Sequence, residues 1–178
     1  LRDPFRRDDP RPFVICAASP NPRDKAELQT RTETILSTLV DTDVRNVQIF
    51  TDGTATWAED LAQVFADFHV RHDPMPPPAP TGSPAANPWF EWMHHALGPA
   101  GARAVHFVCP CVATGLDGAI VLPEAWSEMA GAVSSAPACA KEVAAFLDRL
   151  NCPLAGFSPL LQHGQDEGAR LLVNDLSW

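Results

Sequence analysis

The chain has 178 residues, 46% of them hydrophobic and 20% charged, which is the size and apolar content of one globular domain with its own core. Acidic residues outnumber basic ones 22 to 13, and the net charge of −9 excludes the long-range field that gathers nucleic acid or anionic lipid. No apolar run approaches the ~20 residues of a membrane span, and the 5 cysteines form no CxxC pair, so the chain reads as a cytoplasmic protein with reduced thiols and no membrane partner.

Residues 1–12 alternate charge and proline and read as a linker, so the expected organisation is a joint to a larger polypeptide followed by a single domain over 13–178. Phe13 to Ala18 is an apolar run closed by Ser19-Pro20-Asn21-Pro22, as in a strand buried on both faces. Lys25 to Leu39 carries Leu28, Ile35, Leu36 and Leu39 at helical spacing. Asn46 to Thr51 reads as a second strand, and Ala58 to Phe68 as a second helix.

Seven of the 18 prolines fall in residues 71–88, which predicts a Pro-rich insertion with no regular element. Trp89 to Leu97 predicts a short helix whose Trp89, Phe90 and Trp92 pack into the core, the alternative being an aromatic patch for a partner. Ala104 to Val108 predicts the third buried strand, ending at Cys109-Pro110-Cys111, and residues 118–123 predict a small β excursion. Lys141 to Leu150 reads as a helix, 153–158 as the fourth core strand, and Asp166 to Leu176 as the closing helix. Strands alternating with crossover helices predict an α/β fold. Its central sheet is mainly parallel and carries helices on both faces, as a three-layer sandwich of caspase-like or flavodoxin-like kind. The first strand should lie between the second and the third, with the fourth outside the third.

In such a sheet the site lies beyond the carboxyl ends of the strands. Cys109 and Cys111 sit at one of those ends, where a thiol becomes a nucleophile if an imidazole lowers its pKa; otherwise each is a small apolar filler. His106 is three residues before Cys109 and reads as lying under the sheet rather than toward the crevice. His69 and His72 have HxxH spacing without the glutamate of a zincin, and the neighbours His94 and His95 face different sides of a helix, so no metal site is expected. No glycine-rich loop opens a helix, so no nucleotide or other cofactor is expected.

Phe13-Val14-Ile15-Cys16-Ala17-Ala18, Asp52-Gly53-Thr54-Ala55-Thr56 and above all Val105-His106-Phe107-Val108-Cys109 make residues 13–178 resemble the caspase-like domains of the CHAT type, found in large bacterial signalling proteins. The resemblance implies that the third strand is followed by a His-Gly pair carrying the catalytic base and that the next core strand ends at a nucleophilic cysteine. Here Pro110-Cys111 stands at the first place and Ser158 at the second. The expectation is a catalytically degenerate domain that binds a protein partner or other domains of its own polypeptide. Two alternatives stand beside it. One is a cysteine hydrolase using Cys109 or Cys111 with His106 or with His163, which follows the fourth strand; the other is a TIR-like or flavodoxin-like sensor domain.

Overall fold

The computed structural model describes residues 9–52, 55–66, 69–74, 87–114, 117–123, 135–160 and 165–176. Strand β1 (Phe13–Ala17) is the first apolar run, buried from its second residue onward. A 3-10 turn over Pro22–Asp24, capped by the Asn21 side chain, delivers the chain into helix α1 (Lys25–Leu39). That helix buries Leu28, Thr32, Leu36 and Leu39, one stripe at three- and four-residue steps. Strand β2 (Asn46–Thr51) follows, then helix α2 (Trp57–Val64), which stops four residues short of the predicted Phe68.

Strand β3 (His69–Pro74) corrects the expectation for the start of the insertion: Arg71 to Pro74 belong to a regular element, which also carries His69 and His72. The physical reason is tertiary: β3 borrows a parallel ladder from β2, from Asn46↔His69 to Thr51↔Pro74, and an edge strand tolerates a terminal proline because only one of its sides is bonded. Residues 75–86 of the predicted insertion lie outside the described residues, and its last residue, Pro88, opens a helix.

Helix α3 (Pro88–Leu97) starts where Asn87 accepts the Trp89 amide and Pro88 fills the first position. Trp89 and Phe90 are buried, and the Trp89 indole donates to the Pro123 carbonyl at 2.6 Å, so they serve the core. Strand β4 (Ala104–Cys109) leads through Pro110 into β5 (Cys111–Thr114), β6 (Asp117–Pro123) and β7 (Ser135–Cys139). Helix α4 (Ala140–Arg149), strand β8 (Ala155–Pro159) and helix α5 (Gln165–Leu176) complete the order.

The fold is α/β. Five parallel strands in the order β3-β2-β1-β4-β8 form the central sheet, so the first strand lies between the second and the Ala104–Cys109 strand, with β8 beyond the latter. Helices α1 and α2 bury their apolar residues with Ile15, Ile49 and Val108 on one face. Helices α3, α4 and α5 pack with Val14, Phe107 and Cys109 on the other, giving three layers. The hairpin β5-β6 and strand β7 form a separate antiparallel sheet in which only β6 was anticipated. Helix α5 seats on that sheet where a Cβ on Gly118 would collide with backbone atoms of Gly168 and Leu172, and a Cβ on Gly168 with the backbone of Val112. Both glycines are there because two backbones meet without room for a methyl group.

The described part of the N-terminal segment is tied down. Arg11 forms an ion pair with Asp9 at 2.6 Å and donates to the carbonyls of Ala102 and Asn151 at 3.2 and 2.8 Å, while Arg103 donates its amide to Pro12. Among the described residues no helix is long and apolar enough to cross a membrane.

Candidate functional site

Strand order reverses between β1 and β4, which places the topological crevice at their carboxyl ends. The exit of β1 holds a closed polar cluster. Ser19 donates to Asp24 at 2.6 Å, the Asn21 side chain donates to the other Asp24 oxygen at 3.1 Å, and the Asn21 amide donates to Ser19 Oγ. These groups use one another to fix the turn into α1. The loop has no glycine to let a pyrophosphate approach the backbone.

Side chains alternate along β4, and the alternation decides the chemistry. Val105, Phe107 and Cys109 enter the core under α3, α4 and α5, and Cys111 joins them; Val108 faces α1 and α2, as does His106, two residues earlier. The sheet therefore lies between the His106 imidazole and the thiols of Cys109 and Cys111. Both thiols belong to side chains only 1% exposed. The hydrogen bond shared with Cys111, together with burial, pushes the Cys109 thiol well above the ordinary range, and the same bond draws Cys111 down. Cys111 also points its sulfur toward the Cys109 carbonyl, 4.0 Å away. Burial raises Cys16 and Cys152. Among the described residues no imidazole adjoins this packed thiol pair, which there is filler with an internal proton preference.

Ser158 is what His106 meets. Its Oγ lies 2.8 Å from His106 Nε2, across the register that sets His106 opposite Gly156 and Val108 opposite Ser158. Gly156 makes the pairing possible, since a Cβ there would stand 2.5 Å from His106 Nδ1. Burial lowers the His106 pKa, so the ring is the neutral partner of a hydroxyl at pH 7. The pair sits within the β4-β8 ladder, and among the described residues no carboxylate is bonded to the ring to orient it. Sequence reasoning named both residues without joining them. The available signal was a glycine two positions before the serine, opposite a bulky ring, and it becomes visible only once the β4-β8 register is known.

His163 lies outside the described residues. His72 is engaged with Thr51 Oγ1 at 2.6 Å on the β2-β3 ladder. Among the described residues no group of three or more His, Cys, Asp or Glu side chains converges as metal ligands. Comparison with protein-family models, with curated proteins and with solved structures yields no match.

Proposed function

We propose that the chain is a catalytically degenerate caspase-like domain of the CHAT type, acting as a binding or regulatory module within a larger bacterial signalling or defence polypeptide. The observation that carries the reading is the disposition of β4 and its exit: the His106 imidazole lies on one face of the sheet, and Cys109 with Cys111 of β5 on the other. A cysteine hydrolase needs a thiolate with a base within about 3 Å, because the thiol is a weak nucleophile at its ordinary pKa. Cys109 is held protonated, and Cys111 has a second thiol for its neighbour where an imidazole would be required. Pro110, standing where the resembling family carries its base, neither accepts a proton nor orients one.

The test uses the full chain with reporter peptides and iodoacetamide. The expected result is no peptide cleavage and labelling of Cys111 no faster than an ordinary thiol. Rapid labelling at neutral pH that disappears in Cys111→Ser, or cleavage abolished by the same change, overturns the reading and returns the cysteine hydrolase, with His163 as the base to replace first.

A further inference from the structure

The central sheet has two edges of opposite character. Strand β3 carries His69, Arg71, His72 and Asp73, polar and charged residues that discourage further strand pairing, and both edge strands end in proline. Strand β8 reads Ala-Gly-Phe-Ser-Pro, has no charge, is half-buried throughout, and among the described residues forms a ladder with β4 alone.

The phase of that ladder fixes what β8 offers. Val105 donates to the Leu154 carbonyl at 3.0 Å and the Leu160 amide donates to Cys109 at 3.3 Å. In a parallel pair alternate residues bond the same neighbour, so Gly156 and Ser158 direct their backbone groups to β4, while Ala155, Phe157 and Pro159 direct theirs to the outer edge. The side chains of Ala155 and Phe157 also line a groove of about 630 Å³, walled by Leu147 of α4 and by Val173 and Leu176 of α5. Leu154 at its rim and Val173 in its wall are 43% and 45% exposed, among the few exposed large apolar side chains of the described residues. A second cavity of about 450 Å³, lined by Asp117 and Lys141 at its outer end, joins the first at Ala144 and Asp148, where the carboxylate is the one charge shared by both. Outward amides, an apolar groove on the same residues, and a carboxylate where two cavities meet form one surface.

We infer that the β8 edge is a docking site for an extended segment of a partner protein, which adds a strand beside Ala155 and Phe157, sinks an apolar side chain between α4 and α5, and sets a lysine or arginine beside Asp148. Main-chain bonds supply the affinity in this mode and the groove supplies the selectivity. Charge argues against a second copy as the occupant. Residues 152–160 contain no lysine or arginine to meet Asp148, and two chains of net charge −9 repel. The inference rests on reading the domain as a binding module and adds where and what it binds.

The experiment is selection from a displayed library of random twelve-residue peptides against the full chain, followed by titration of the enriched peptides. The expected peptides alternate apolar residues and carry a basic one. Ala155→Pro removes only an outward amide, so it should leave the thermal melt in place while weakening binding by about tenfold or more. Asp148→Asn should weaken the basic peptides and leave versions with the lysine replaced by glutamine unaffected. Failure to enrich any peptide, or enriched peptides that bind Ala155→Pro as tightly as the parent, overturns the inference. So does sedimentation in which the parent is a dimer and Ala155→Pro a monomer. The thiol test above stands apart, since a slow thiol with an inert edge would sink the edge and spare the non-catalytic reading.

Discussion

His106 and Ser158, fifty-two positions apart in sequence, share a 2.8 Å contact across the two last strands of the central sheet, over a glycine that leaves room for the ring. Gly156→Ala should therefore destabilise the domain by about 1–3 kcal/mol, because the new methyl group must displace a ring held between two strands. Chemical denaturation measures it. A His106→Ala background should shrink the penalty, as the atom being struck is gone; equal losses in both backgrounds would remove the ring from the explanation.

The pH dependence follows from burial of the same ring. In the folded chain the His106 pKa is below the ordinary value, and in the unfolded chain it returns to about 6.5. Above that value both states hold a neutral ring and no difference arises. Below it the unfolded state binds the extra proton, so stability should fall as pH drops from about 6.5 and level off below the folded value. His106→Gln should flatten this portion of the stability profile. The Asp9 carboxylate, drawn below its usual range chiefly by the Arg11 side-chain hydrogen bond, acts only at more acidic pH and is separable from it.

Much of the sheet was legible because β1 is a continuous apolar run and β4 one broken only by His106, as suits strands covered on both faces. Strands β3 and β7 were not legible. Their sequences, His-Val-Arg-His-Asp-Pro and Ser-Ala-Pro-Ala-Cys, have little strand propensity, and what makes them strands is a partner's row of hydrogen-bonding groups. The His106 and Ser158 candidates were visible as residue types, while their union depended on a register that no local pattern encodes.

Thiol accessibility gives a third expectation. Cys16, Cys109 and Cys111 are buried, whereas Cys139 and Cys152 are partly open. A disulfide reagent on the native chain should modify Cys139 and Cys152 first, with all five reacting only in guanidinium chloride. Peptide mapping assigns them. Early modification of Cys111 would show the β4-β5 junction opening in the native state.

Arg11 provides the fourth. Its guanidinium joins Asp9 to the carbonyls of Ala102 and Asn151, which lie in the loops leading into β4 and β8. Arg11→Ala should lower stability by about 1–2 kcal/mol, since charge-assisted bonds to two backbone carbonyls are lost together. Thermal melting of the full chain checks this, and an unchanged midpoint would make residues 9–12 a passive lead-in.

The seat of α5 on the small sheet has a consequence for the order of assembly. Gly118 and Gly168, whose backbones come together there, are separated by β7, α4 and β8, so the hairpin's contact with α5 forms only after those elements have been made. On the ribosome the strands β5 to β7 must wait, half-finished, until α5 emerges, and closing so long a loop is entropically slow. A chain halted before Gln165 should keep protected amides in β1, β2 and β4 during hydrogen exchange and lose them in β5 and β6. The small sheet matures after the central one, and α5 is its latch.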